Sequence, residues 1–345
     1  MTLEYSVRFL PHDRLVHCPE TQAVLDAAQG AGLGLPHSCR SGHCGSCRAR
    51  LLSGEIHYPN GPPLGLSAQE KAEGYVLLCQ ARPRTDLTVA ISLVTAAAQA
   101  EIKSLPCRVV KLTLLGPDVM QVSLRLPAVE PLEFRAGQYV DVLLEEGRRR
   151  SFSIASPPGQ VQEIELHVRR VAGGLFSERL FRTMATGALL RIEGPLGRFL
   201  YDEAPDGPPV IFIAGGTGFA PIKSMLAQAL EQGGSQPLYL YWGARTIADV
   251  YQEALMRELA REHPRLSFHP VLSHAGDVAP PYRAGWVHEA VLADFPHLAG
   301  LPVYAAGPPQ MILAIRDAFE ARGARAAQLH FDVFDYAVDP PRRQS

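Results

Sequence analysis

Residues 36–47 read PHSCRSGHCGSC, three cysteines within nine positions, separated by glycines, serines and a histidine. Such a run can hold a zinc ion, an iron–sulfur cluster, a pair of disulfides or a redox dithiol, and the rest of the sequence narrows the choice. Five of the six cysteines (Cys18, Cys39, Cys44, Cys47, Cys79) fall within the first 79 residues, and only Cys107 lies beyond. The chain has 345 residues, 47% hydrophobic and 20% charged, with a net charge of −2. Disulfide frameworks belong to short secreted chains, so clustered cysteines here favour a metal or redox role. The start, MTLEYSVRFLPHDRL, lacks a basic-then-apolar leader pattern. No apolar run approaches the ~18–20 residues of a membrane span, so a cytoplasmic protein is expected. The small net charge gives no reason to expect nucleic acid or an anionic membrane as a partner.

Cys39, Cys44, Cys47 and Cys79 are spaced C-x4-C-x2-C-x31-C. Zinc sites usually pair their ligands in two short hooks. Three ligands on one loop with a distant fourth is instead the plant-type ferredoxin spacing for a 2Fe–2S cluster. Cluster sulfides are negatively charged, so backbone N–H groups must turn toward them. Gly42 and Gly45 permit the positive-φ turns this needs, and Arg40 and Arg48 add positive charge. His43 reads as a solvent-facing loop residue, and Cys18 and Cys107 as buried or idle thiols.

Outward from this loop the chain divides into three blocks. In residues 1–92, YSVRFL alternates as a strand and TQAVLDAAQGAG has helical spacing. RARLLSGEIHY, YVLLCQARP (carrying Cys79) and LTVAIS read as further strands, and Ser67 three residues before Glu70 predicts a capping box. Residues 93–106, small and weakly periodic, read as a linker. Residues 107–203 are a string of short strands with turns between them, interrupted by one helix in GGLFSERLFRTMA, which predicts an antiparallel barrel or sandwich. Residues 204–345 alternate strand and helix, which predicts a doubly wound parallel sheet.

The second block carries RRRSFSIAS (148–156) and, shortly after, LHVRRVAGGLFSERL (166–180). Gly173 and Gly174 free backbone amides where Ser177 opens a helix, which makes an anion site. An arginine on the first strand and this turn can share one pyrophosphate. In the third block, AGGTGFAPIKSM (214–225) follows a buried strand and opens a helix, with Pro221 suited to its first turn. Gly215, Gly216 and Gly218 flank Thr217 and allow a dinucleotide pyrophosphate to approach the helix N-terminus. The next strand ends in YWGARTIADVY, where a carboxylate favours NADH through the ribose 2′-hydroxyl and an arginine can take a 2′-phosphate. Arg245 and Asp249 are both available there, and NADH is the expected donor.

With AGQYVDV ahead of them, these motifs resemble the ferredoxin–NADP reductase superfamily. The whole chain resembles the FAD- and 2Fe–2S-dependent NAD(P)H reductases that feed electrons to multicomponent oxygenases. Within them, AGQYVDVLLEEGRRRSFSIAS, LLRIEGPLGRF, AGGTGFAPIKSM, YWGAR and VHEAVLADFP are similar to the CDP-6-deoxy-Δ3,4-glucoseen reductase group. The resemblance implies three domains: a β-grasp 2Fe–2S ferredoxin, an antiparallel β-barrel for FAD and a doubly wound parallel sheet for NAD(P)H. It assigns Arg150 to the FAD pyrophosphate and Phe152 and Ser153 to the isoalloxazine. The backbone at His167 and Val168 goes to the flavin's pyrimidine edge, and Gly173, Gly174 and Ser177 to its phosphates. It makes Gly307 and Pro308, in AAGPPQ, the second nicotinamide element. Ser153 and Phe334 are its catalytic candidates, Phe334 covering the flavin until nicotinamide arrives, with Asp332 at the flavin edge. Two residues depart from the family pattern, Phe152 for tyrosine and Ala306 for cysteine.

The cofactor set implies a hydride from NAD(P)H to FAD, then single electrons through the cluster to a partner. That partner is expected to be a terminal oxygenase or a CDP-sugar dehydrase. The alternatives are a stand-alone NAD(P)H diaphorase or flavin reductase, and a scaffold with a structural metal.

Overall fold

The computed structural model describes residues 2–37, 39–91, 101–159, 162–202, 204–274 and 282–334. They form two compact units that divide between residues 100 and 101.

In the first unit the strand Glu4–Leu10 pairs antiparallel with Arg14–Pro19 and parallel with Leu87–Ala90. Arg48–Ser53 and Tyr75–Leu77 extend the sheet on the far side of Leu87–Ala90. Alternation along Glu4–Leu10 buries Val7 and Phe9. They share one core with Val24, Leu25 and Ala28 of the helix Val24–Gly30. A helix held on a mixed sheet whose first and last strands run parallel is the β-grasp arrangement expected. The Ser67–Glu70 capping box opens the helix Ala68–Ala72, Glu70 N donating to Ser67 Oγ at 3.2 Å and Ser67 N to Glu70 Oε2 at 2.8 Å.

One expectation needs correction. The strand bearing Cys79 ends at Leu77, and Cys79 sits in the turn that follows. Gln80 N and Ala81 N both donate to Leu77 O, so the chain bends there instead of continuing as a strand.

The second unit contains both nucleotide-binding folds. Six antiparallel strands lie in the order Arg149–Ser153, Tyr139–Leu143, Leu189–Leu196, Lys103–Gly116, Val119–Arg125, Glu163–Arg169. A bridge between Ile154 and Leu166 joins the two edge strands and closes the barrel. The helix Leu175–Arg182 contributes Phe176 and Leu180 to the barrel core. Residues 103–106, read as linker, are the first turns of ladder in this barrel, with Pro106 opposite Arg191 and Leu105 opposite Ile192. Residues 93–100 of that linker lie outside the described residues.

The other fold is a parallel sheet in the order Arg283–Ala284, Leu266–Leu272, Leu238–Ala244, Val210–Gly215, Val303–Gly307, Leu329–Val333. Every residue of Val210–Gly215 is buried, as a strand covered on both faces requires. Both its neighbours, Leu238–Ala244 and Val303–Gly307, follow it in sequence but lie on opposite sides of it, so the strand order reverses there. Ligands of such sheets bind at this switch point, beyond the carboxyl ends of the strands.

Candidate functional site

Four of the five cysteines of the first unit form two pairs. Cys44 N donates to Cys39 Sγ at 3.3 Å and Cys39 N to Cys44 Sγ at 3.5 Å. Cys79 N donates to Cys47 Sγ at 3.5 Å. The thiol of Cys44 holds Cys39 down to about 5, and that of Cys79 lowers Cys47. Arg40, Gly42 and Gly45 all adopt left-handed φ, at 55°, 81° and 73°. A Cβ on Gly42 would stand 2.8 Å from Pro63 and Gln80, so the loop has no room for a side chain there.

This paired arrangement fits a 2Fe–2S cluster, which Cys39, Cys44, Cys47 and Cys79 would hold as thiolates, with backbone N–H groups already directed at the sulfurs. Zinc would draw all four thiols to one point. Cys79 also lines a polar pocket of about 430 Å³ with Arg40, Gln80 and Arg82. His43 lies half-buried on Ser41, its Nδ1 2.9 Å from the hydroxyl oxygen. Arg48 is an ion-pair partner of Glu70.

In the second unit, strand pairing sets Phe152 opposite Val140 and Ser153 opposite Tyr139. The Phe152 ring is half-buried, tilted against Phe176 at 5.2 Å. Arg150 is also half-buried and donates to Arg149 O at 2.7 Å. Gly173 has φ of 76°, as its turn demands. The remainder of that expected anion site is corrected by its hydrogen bonds. Gly174 N is taken by Val171 O at 2.9 Å, and the helix opens at Leu175, two residues before Ser177. Ser177 Oγ is buried, accepting from Val171 N at 3.1 Å and lying 3.2 Å from Val171 O. The serine braces the turn that presents the remaining backbone. Val168 points into the barrel core, whereas the His167 side chain leaves the barrel for the parallel-sheet domain.

The nicotinamide elements meet these flavin elements directly. Gly216 has φ of 54°, and a Cβ on Gly218 would lie 2.0 Å from Ala306 O. Thr217 and Pro221 are buried, Pro221 in the first turn of the helix Phe219–Glu231. Gly215 and Gly307 approach each other so closely that a Cβ on Gly307 would lie 3.1 Å from Gly215 Cα. Pro308 caps the helix Pro309–Glu320. Ala306 pairs with Asp332, and Phe334 N donates to Gly307 O at 2.9 Å. Ser153 Oγ in turn donates to Asp332 Oδ2 at 3.3 Å. The flavin motif, the glycine turn and the half-buried Phe334 therefore surround one point. At the end of Leu238–Ala244, Arg245 is 3.2 Å from Asp249, which also accepts from Thr246 N at 3.0 Å.

Residues 8–84 match the 2Fe-2S iron-sulfur cluster binding domain, residues 106–201 the oxidoreductase FAD-binding domain and residues 212–317 the oxidoreductase NAD-binding domain. Over 96% of this chain and 99% of the relative, it is 35% identical to a CDP-6-deoxy-L-threo-D-glycero-4-hexulose-3-dehydrase reductase from Yersinia pestis. The chain belongs to the iron–sulfur flavoprotein NAD(P)H reductases. An aromatic O-demethylase reductase subunit from Amycolatopsis is 37% identical, over 93% of this chain and 96% of that one. The solved structure of an Amycolatopsis cytochrome P450 reductase superimposes with a TM-score of 0.74 at 36% identity, covering 96% and 98% of the two chains. The protein is thus an oxidoreductase with 2Fe–2S, FAD and NAD-binding domains, and the three-fold architecture read from the sequence is the one observed.

Sequence reasoning missed Arg169. A Cβ on Gly216 would meet its Nη1 at 3.1 Å, so this guanidinium lies on the glycine turn. Nη2 is buried without a hydrogen-bond partner among the described residues, and Nε is 3.4 Å from Asp118 Oδ2. The pair Arg169–Arg170 was visible in the sequence. Strand alternation alone does not tell which of the two turns inward, and Arg170 turns out to pair with Glu178.

Proposed function

We propose that this protein takes hydride from NADH and delivers single electrons, through its 2Fe–2S cluster, to a partner oxygenase or CDP-sugar dehydrase. The observation that carries the reading is the junction of Ser153, Asp332, Ala306 and Gly218, where the flavin strand and the nicotinamide turn share one buried contact. Bound FAD supplies the conversion between a two-electron hydride donor and a one-electron acceptor. Cys39, Cys44, Cys47 and Cys79 hold the cluster. Arg150 and the Gly173–Gly174 turn hold the FAD phosphates, and Phe152, Ser153 and the backbone at His167–Val168 hold its ring. Gly215, Gly216, Thr217, Gly218, Pro221, Gly307 and Pro308 seat the dinucleotide, and Arg169 joins them as a cation for its pyrophosphate.

NADH is favoured because Asp249 engages Arg245, which compensates the charge that a 2′-phosphate would need. The modules run to about residue 92, from Lys103 to about 203, and from there to the C-terminus. No helix among the described residues is long and apolar enough to cross a membrane. Six free cysteines and a nicotinamide donor fit a cytoplasmic setting. Partner supply is tested by adding NADH and either candidate acceptor to the holoprotein. Cys39→Ala should abolish reduction of the acceptor while sparing ferricyanide reduction. Acceptor turnover that survives this substitution would instead support a stand-alone diaphorase.

A further inference from the structure

His167 lies fully buried between the barrel and the parallel-sheet domain. One ring nitrogen, Nε2, is 2.6 Å from Glu165 Oε1, and the other, Nδ1, is 2.9 Å from the Tyr251 hydroxyl. Glu165 Oε1 also accepts from Lys223 Nζ at 2.5 Å. Glu165 and His167 belong to the barrel strand whose backbone is assigned to the flavin edge. Lys223 belongs to the helix opened by the glycine turn, and Tyr251 follows the Arg245–Asp249 turn.

Burial favours neutral imidazole, so Nε2–H donates to Glu165 and Nδ1 accepts from Tyr251. Burial alone would raise the Glu165 carboxyl, but His167 and Lys223 outweigh it and hold the group down to about 2. The next residue repeats the tie, Ser224 Oγ donating to Ser156 O at 2.7 Å. Aromatic rings fill the space around it: Phe219 stacks on Trp242 at 3.9 Å, and Tyr251 stands edge-on to both Trp242 and His167.

We propose that Glu165, Lys223 and Tyr251 form a clasp around the buried His167 that fixes the nicotinamide domain against the flavin strand, making Lys223 and Glu165 positioning residues for hydride transfer. The proposal rests on the reading that hydride passes between these two domains. A buried ion pair adds little stability over an apolar contact, but it resists sliding. A small displacement would lengthen a short charge-assisted bond between side chains that are only 17–18% exposed, where water compensates the carboxylate only in part. Apolar packing alone tolerates such shifts, and a misplacement near 1 Å can slow a transfer step by about a hundredfold.

The test compares wild type, Lys223→Met, Lys223→Arg and Tyr251→Phe as holoproteins, by anaerobic stopped-flow flavin reduction and amide hydrogen exchange. Lys223→Met should retain FAD and cluster absorbance and bind NADH within a few-fold of wild type. Its flavin reduction at saturating NADH should fall by about tenfold to a hundredfold. Amides of Glu163–Arg169 and Phe219–Glu231 should exchange faster, and Lys223→Arg should restore both readouts. Tyr251→Phe, nearly isosteric, should slow reduction severalfold, and it decides the matter if Lys223→Met does not fold. Wild-type reduction rates in the variants, or a defect confined to FAD retention, would overturn the clasp. Failure of NADH to bleach wild-type flavin would overturn the functional reading itself.

Discussion

Ser153 Oγ donates a 3.3 Å hydrogen bond to Asp332 Oδ2, and both side chains are buried. The serine belongs to the flavin strand and the aspartate to the last strand of the parallel sheet, so the bond crosses the two cofactor folds. The proposed role of Ser153 is to orient the reacting edge of the site through this bond. Ser153→Ala should keep FAD bound yet slow flavin reduction at saturating NADH by about tenfold to a hundredfold. Stopped-flow absorbance checks this, and an unchanged rate would remove Ser153 from the catalytic candidates.

Gly218 has no space for a side chain because its Cβ position lies 2.0 Å from Ala306 O, a backbone atom that cannot swing aside. Gly218→Ala should destabilise the reductase unit by ~1–3 kcal/mol. It should also weaken NADH binding while leaving the visible spectrum of the cluster intact. Thermal release of FAD and calorimetric NADH titration read the two effects separately.

Asp249 lies 3.2 Å from Arg245, and the proposed preference for NADH rests on that contact. Asp249→Asn should release the guanidinium and move the NADH to NADPH preference toward NADPH by about tenfold, ~1.4 kcal/mol. Steady-state kcat/KM for both nucleotides measures the ratio. Equal loss with both would mean that Asp249 only shapes the turn.

The clasp gives the reductase unit a directional response to acid. Burial lowers His167 in the fold despite Glu165, and His167 with Lys223 lowers Glu165 to about 2 against the opposing effect of burial. Both groups bind protons more readily once unfolded. Their stabilisation is present above the ordinary values of 6.5 and 4.5 and is lost as pH falls through them toward the folded values. The temperature of FAD release should therefore drop between neutral pH and about pH 4, and Glu165→Gln should flatten the lower part of that curve.

Local chemistry was readable from the sequence and long-range contact was not. The spacing of Cys39, Cys44, Cys47 and Cys79 announced the iron–sulfur loop, and Ser67 with Glu70 announced a cap that the structure contains. Buried strand, glycine turn and helix marked Gly215–Gly218, because these signals are carried by neighbours along the chain. The pairing of the four thiols depends instead on how the Cys79 turn approaches the loop. The bracing role of Ser177 depends on Val171, and the inward turn of Arg169 on the packing of two domains. The clasp joins residues up to 84 positions apart, a distance over which no periodicity carries information.

Electron flow from NADH through flavin to the cluster is read by anaerobic titration of the holoprotein with NADH, followed by absorbance and low-temperature EPR. Flavin bleaching should be accompanied by the axial signal of a reduced 2Fe–2S cluster, with iron and sulfide present in equal amounts. A colourless protein containing zinc, or flavin that bleaches while the cluster stays oxidised, would contradict it.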